Sequence, residues 1–296
     1  MGTKNKTDMN KRVFIGLMGC VLLLCGCEGL LQSNKVPVHI EFKPVIGHDT
    51  RVEGSMSFPQ ERSFSLWAQD SDGGLYIENA GISYNDGWFA PKPWDGRALT
   101  FYAGWPVNLD YGYSSSKGLQ IRSFNSSKGY VDILLAEATE YNRADSPVTL
   151  NFNHLLSRVD FRMTHKLAEN TSLKVNKIEI KGFAKKGDYN VTADDEWAGL
   201  SEYGSHVVFE HPDGKLVPSQ TADYFGEEFY AIPQMSLGSI EVQCQIQYGV
   251  GQWVPQTYVI DPLEIVWDPG KHMTYTLTIR ADQMVHTLGI SAWENN

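Results

Sequence analysis

The chain has 296 residues, of which 42% are apolar, and its 35 acidic side chains outnumber the 25 basic ones to give a formal net charge of −10. This acidic balance argues against nucleic acid as a partner, because phosphate binding needs a basic surface. The length is sufficient for two domains of ordinary size.

The N-terminus has the pattern of a bacterial lipoprotein signal peptide. A basic stretch ending in Lys11-Arg12 precedes an apolar run over residues 13–26, which is shorter than the roughly 20 residues needed to cross a bilayer. The run ends in Leu24-Cys25-Gly26-Cys27, in which a small residue precedes a cysteine. We predict removal of residues 1–26, acylation of Cys27, and a short tether over residues 27–35. Several acyl chains on one cysteine hold a protein firmly to a membrane, so a lasting lipid tether outside the cytoplasm is expected.

Cysteine usage fits this interpretation. Cys20 and Cys25 leave with the signal peptide and Cys27 is acylated, so Cys244 alone remains and no intramolecular disulfide is predicted. Cys244 alternates with apolar residues, which predicts a small buried hydrophobe rather than a reactive thiol. Loss of the signal peptide also takes the formal charge from −10 to −13.

An alternation of apolar and polar residues predicts short strands along most of the chain. Turn signals rich in Gly, Asp, Asn and Pro separate them, which predicts an all-β fold of sandwiches with little helix. The predicted strands cover residues 38–42, 64–68, 148–152, 159–163, 178–180, 239–248 and 272–279, and the turns are at 72–74, 85–87, 95–96, 212–214 and 269–270.

Two further segments have a less regular pattern. Residues 111–128 are rich in Ser, Gly and Tyr, which predicts a long exposed loop. Residues 132–141 have the composition of a short helix, but a strand followed by a loop fits them equally well.

Four motifs in the second half of the chain resemble those of the fimbrillin-like proteins of Bacteroidetes, which are subunits of type V pili. They are Val148-Thr149-Leu150-Asn151-Phe152-Asn153-His154-Leu155-Leu156-Ser157-Arg158-Val159-Asp160-Phe161, Tyr230-Ala231-Ile232-Pro233-Gln234, the segment from Trp267 to Ile279, and Ile290-Ser291-Ala292-Trp293. The resemblance implies two tandem transthyretin-like β-sandwich domains, here residues 36–153 and 154–296. It also implies a structural or adhesive role without enzymatic activity.

The resemblance further implies assembly by strand exchange. In many family members an Arg-directed protease removes the first strand, and a strand of the next subunit fills the opened groove. The first strand is predicted at residues 36–43. Arg51, followed by Val52, is then the first candidate for cleavage, and Arg62, followed by Ser63, is the second.

The role within the fibre is predicted from the end of the chain. Little sequence follows Trp293 to serve as an additional donor strand, although residues 284–293 are themselves a candidate donor. A tip or accessory subunit is therefore preferred. An anchor that keeps its lipid and its first strand is the alternative. Expected partners are other fimbrial subunits, the outer membrane, and a host or bacterial receptor or glycan.

Candidate chemical sites are few, and neither a metal nor a cofactor is predicted. His154 matches a family position and is predicted to bridge the two domains. His206 and His211 are too widely spaced for a zinc pair on one strand face. Residues 70–74 and 194–196 carry carboxylates that could bind calcium, but both segments lack the later bidentate glutamate, and a turn is predicted at the first.

An aromatic cluster supports an alternative function. Exposed rings in loops stack on sugars, so these residues predict a surface glycan-binding lipoprotein if they are exposed, and packing of the first sandwich if they are not. The cluster consists of Trp88, Trp94, Tyr102, Trp105, Tyr111 and Tyr113.

Overall fold

The computed structural model describes residues 37–47, 56–129, 132–191 and 197–293. Cys27, Arg51 and the acidic segment 194–196 lie outside these residues. Nineteen strands and two short 3-10 helices make up the described part. No helix there is long and apolar enough to cross a membrane.

The strands in chain order are β1 (His39–Ile46), β2 (Met56–Ser57), β3 (Phe64–Asp70), β4 (Leu75–Ile82), β5 (Trp88–Pro93), β6 (Leu99–Trp105), β7 (Tyr111–Ser114), β8 (Gly118–Asn125), β9 (Leu134–Tyr141), β10 (Val148–His154), β11 (Ser157–His165), β12 (Thr171–Asn190), β13 (Trp197–Leu216), β14 (Asp223–Tyr224), β15 (Phe229–Ala231), β16 (Gln234–Tyr248), β17 (Trp253–Trp267), β18 (Lys271–Ile279) and β19 (Met284–Ala292). The 3-10 helices are Ser126–Lys128 and Arg143–Asp145.

These strands form three sheets. The eight-stranded sheet has the order β2-β1-β10-β9-β6-β3-β4, with β5 pairing β1. The five-stranded sheet has the order β14-β11-β18-β19, with β15 pairing β11, and the six-stranded sheet has the order β17-β16-β12-β8-β7, with β13 pairing β12. β7 and β8 thus join a sheet built mainly from strands that follow residue 154.

Three apolar clusters hold the sheets together. The first contains Phe64 and Phe101 and draws its strand residues from the eight-stranded sheet alone. The second, with Phe161 and Ile178, lies between the five- and six-stranded sheets, as in a sandwich. The third links the two and includes Trp67, Tyr102, Leu119, Ile121, Tyr189, Ile232 and Trp293.

The all-β fold and the predicted strands are confirmed, and residues 132–141 contain strand β9. The division into domains 36–153 and 154–296 stays a prediction. The described residues from 37 onward belong to one compact unit, and the third cluster contains residues of both halves.

Two predictions from the sequence are wrong. Residues 111–128 are not an exposed loop. They form β7, β8 and the first 3-10 helix, and Leu119 and Ile121 are almost fully buried because they belong to the third apolar cluster. Residues 212–214 are not a turn between strands but an irregularity inside β13. There the Asn176 side chain donates to the carbonyls of His211 and Pro212, at 3.2 and 2.9 Å.

Candidate functional site

The predicted first strand corresponds to β1, which lies inside the eight-stranded sheet and has strand partners on both sides. On one side, residues 42–46 run parallel to residues 148–152 of β10. On the other side, residues 39–42 pair antiparallel with β5 and residues 45–46 with β2. Removal of β1 would therefore leave unpaired backbone groups on both walls of a slot.

The side chains of β1 contribute to the core of this sheet. Ile40, Phe42, Val45 and Ile46 are each no more than 9% exposed, and the rings of Phe42 and Phe101 lie edge to face with centroids 5.3 Å apart. Burial of one such side chain contributes about 1.5–3 kcal/mol, so the four contribute on the order of 6–12 kcal/mol. The whole stability of a domain is about 5–15 kcal/mol. A subunit without β1 therefore needs another strand in its place.

Phe58, which follows β2, closes the same core and was missed from the sequence. It is 2% exposed, its ring lies 4.9 Å from that of Phe152 and 5.6 Å from that of Phe64, and its backbone N–H donates to the Pro44 carbonyl at 3.2 Å. No periodic pattern surrounds this residue in the sequence. A cut between β1 and β2 leaves Phe58 in the core, whereas a cut after Arg62 would remove it.

Arg62 is exposed but is held in a turn. Its backbone N–H donates to the Pro59 carbonyl at 3.1 Å, and its guanidinium carbon lies 4.6 Å from the centroid of the Trp105 ring. Phe64, two residues later, is fully buried at the start of β3. A protease that needs an extended, accessible segment would have to unravel β3 to cut there.

His154 forms part of a ring stack at the C-terminal end of β10. The His154 and Trp293 rings are nearly parallel, with centroids 4.1 Å apart, and Tyr230 stacks on Trp293 at 5.2 Å. Asp132 Oδ2 lies 2.8 Å from His154 Nδ1. Trp293 is 3% exposed. His154 thus connects β10, in the first half of the chain, to Trp293, which follows β19 in the second half.

The predicted aromatic cluster is largely core packing. Trp88, Trp94 and Tyr102 are no more than 8% exposed. Tyr111 and Tyr113 are half-buried in β7, where the Tyr111 ring lies 5.5 Å from that of Trp67. Trp88, Trp94 and Tyr102 are too buried to stack on a sugar. For these three residues the glycan-binding interpretation is wrong and the packing interpretation is confirmed.

The candidate calcium site at residues 70–74 is a turn. Asp70 Oδ1 accepts from the backbone N–H of Gly74 at 2.6 Å and of Asp72 at 3.2 Å, and Oδ2 pairs with Arg97. Across the described residues, no group of three His, Cys, Asp or Glu side chains could hold a metal ion.

Two further candidates, His206 and Cys244, pack among the residues of the protein interior. The His206 ring lies 4.3 Å from that of Phe229. Burial, and to a smaller extent the positive charge of Lys185, lowers the pKa of His206. Cys244 is 3% exposed, and burial raises the pKa of its thiol to about 12. The prediction that Cys244 is a small buried hydrophobe is confirmed.

Comparison with known proteins adds to this geometry. The family model described as fimbrillin-like matches residues 50–293. No curated protein matches the chain. Among solved structures, a fimbrial protein from Bacteroides vulgatus has a TM-score of 0.60 at 12% identity, covering 86% of this chain and 99% of that one.

Two further solved structures have the same fold. A candidate cell adhesion protein from Bacteroides uniformis has a TM-score of 0.53 at 16% identity and covers 86% of this chain and 98% of its own. Another from Parabacteroides distasonis has a TM-score of 0.53 at 10% identity and covers 87% of this chain and 97% of its own.

Proposed function

The chain belongs to the fimbrillin-like family, and we propose from that premise that it is a structural and adhesive subunit of a cell-surface fimbria, assembled by strand exchange at β1. The family match agrees with the resemblance of the four motifs. The observation that carries the proposal is the position of β1, which has strand partners on both sides and four side chains in the core. A strand from a neighbouring subunit would restore both the backbone pairing and the apolar contacts.

Export as a lipoprotein precedes assembly in this proposal. Acylated Cys27 would hold the chain at the outer membrane, and cleavage after Arg51 would then separate β1 and the lipid from the rest of the subunit. Arg51 is preferred over Arg62 because a cut between β1 and β2 keeps Phe58 in the core. Head-to-tail exchange of this kind produces open fibres rather than closed rings.

A tip or accessory role is supported by β19. All nine of its residues pair antiparallel with β18, and Trp293 beyond it is stacked between His154 and Tyr230. Donation of residues 284–293 to another subunit would break this pairing and this stack. A subunit that accepts a strand while keeping β19 fits a position at the end of a fibre. An anchor that keeps both its lipid and β1 is the second candidate.

The test is treatment of the purified protein with an Arg-specific protease. We expect a new N-terminus at Val52, release of the β1 peptide, and stable oligomers in the presence of a donor subunit. Arg51→Ala should abolish all three, whereas the matched variant Arg62→Ala should leave them unchanged. Excess synthetic peptide of residues 37–47 should refill the slot and block oligomer formation.

N-terminal sequencing of protein from cell-surface fibres separates the alternatives. A start at Val52 supports the tip or accessory role, and a start at Cys27 indicates the anchor. A start at Ser63 would contradict the choice of Arg51. A cleaved chain that stays monomeric with every donor subunit would overturn strand exchange.

A further inference from the structure

The five-stranded sheet has a polar outer face. Along β11, Val159 and Phe161 point into the apolar core, so Arg158, Asp160 and Arg162 point to the opposite side. The segment that contains β14 and leads to β15 pairs with β11 at the edge of the sheet. Its Tyr224 and Glu228 side chains contact Arg162 and Arg158 on this face. Asp160 is only 6% exposed, although it lies on the side of the sheet away from the core.

A cavity of about 630 Å³ lies on this outer face, where residues of β11, β18, β19 and the β14–β15 segment line it. Its volume is within the range of about 300–1,000 Å³ that is typical of small-molecule sites. Most of the residues that line it are polar or charged, unlike those of most sites for drug-like molecules. The side chains that line it are those of Arg158, Asp160, Tyr224, Glu228, His272 and Ser291.

Asp160 is the buried polar group of this cavity. Its Oδ2 atom lies 2.8 Å from His272 Nε2. Its Oδ1 atom is buried and has no hydrogen-bond partner within the described residues. Buried acceptors without partners are rare and costly, so this oxygen is an available acceptor for a donor from a molecule that enters the cavity.

The surrounding charges favour a neutral donor. Arg158 and Glu228 offset each other as an ion pair. The Arg162 guanidinium, stacked on the Tyr224 ring at 4.0 Å, adds positive charge beside Asp160 and disfavours an incoming cation. The described part of the chain also holds no cluster of metal ligands. An anion is disfavoured by the Asp160 carboxylate and by the chain's net charge of −10.

We propose that this cavity binds a neutral saccharide, with one sugar hydroxyl donating to Asp160 Oδ1. A hydroxyl both donates and accepts, and a sugar ring carries several of them, which suits a small cavity with polar groups on several sides. Ser291 and Glu228 are the positions for the neighbouring hydroxyls, and Tyr224 supplies an aromatic wall. β1 lies in a different sheet, so binding does not depend on strand exchange.

The test uses the uncleaved, monomeric chain and an array of neutral hexasaccharides built from glucose, mannose, galactose or xylose. Titration calorimetry then measures the hexasaccharide that binds. We expect Asp160→Asn to weaken binding about tenfold or more, because it replaces an ionisable acceptor with an amide in a buried hydrogen bond. Ser291→Trp should abolish binding by filling the cavity.

Thr287→Trp is the matched control, because Thr287 is exposed on the same face of β19, four residues from Ser291. It should bind the hexasaccharide as the unmodified chain does. Thermal unfolding of each variant checks that the fold is retained. The proposal is overturned if no neutral hexasaccharide binds, if only acidic saccharides bind, or if folded Ser291→Trp binds as well as Thr287→Trp.

Discussion

Trp88 and Phe89 are consecutive residues of β5 that point to opposite sides of the eight-stranded sheet. Trp88 is 7% exposed and its ring lies 5.3 Å from that of Phe64, whereas Phe89 is 40% exposed. We expect Trp88→Ala to lower the free energy of unfolding by about 3–5 kcal/mol, because it leaves a cavity in the core. Phe89→Ala should cost less than about 1 kcal/mol.

Urea denaturation of the two variants measures this difference. Saccharide binding by Trp88→Ala, measured where the variant is still folded, should match that of the unmodified chain, since the proposed cavity lies in a different sheet. A Trp88→Ala variant of normal stability that loses saccharide binding would restore the interpretation of this aromatic cluster as a sugar site.

Individual residues were predictable from the sequence where a periodic pattern surrounds them. Cys244 lies in a regular alternation, and its burial follows directly from that pattern. The burial of Phe58 and Asp160 cannot be predicted from such a pattern. Phe58 is buried by strands distant in sequence. Asp160 points away from the core but is buried beside His272, which lies 112 residues later in the chain.

Two glycines let β12 and β16 approach closely. Gly182 has φ +92°, and a Cβ atom on Gly238 would lie 2.0 Å from the Lys181 carbonyl oxygen. Gly238→Ala should therefore force the strands apart and cost about 1–3 kcal/mol or more. Gly289→Ala is the matched control. Its Cβ would meet nothing closer than 3.7 Å, and a strand glycine is otherwise less favourable than alanine.

Equilibrium unfolding in guanidinium chloride measures both glycine variants. A Gly238→Ala variant as stable as Gly289→Ala would show that β12 and β16 separate without cost. Hydrogen exchange should locate the loss in the backbone amides of residues 179–181 and 239–241, which pair across this contact.

At the level of elements, the sequence predicted strands with regular alternation and failed where that alternation is absent. β18 has an uninterrupted alternation of buried residues, and it was predicted almost to its ends. β8 has a run of four buried residues, because it joins a sheet whose main strands come from the other half of the chain. In β13 only Val208 is less than 9% exposed, so the strand lacks a regular pattern of apolar residues and was not predicted.

The third apolar cluster joins the two halves of the chain, as two independent domains would not be joined. The third cluster combines Tyr102 of β6 and Leu119 of β8 with Tyr189 of β12 and Ile232. β8 also pairs directly with β12. The two halves therefore share both a sheet and a core, which favours one cooperative unfolding transition over two.

Trp293→Ala tests this coupling, because Trp293 is 3% exposed in the third cluster and stacks on His154 of β10. We expect a loss of about 3–5 kcal/mol and a single calorimetric transition whose van't Hoff and calorimetric enthalpies still agree. Hydrogen exchange should speed up in both β10 and β18. Trp253→Ala, at the start of the edge strand β17, is the control and should leave β10 unaffected. Two calorimetric peaks, or a loss of protection confined to β18, would show that the halves unfold independently.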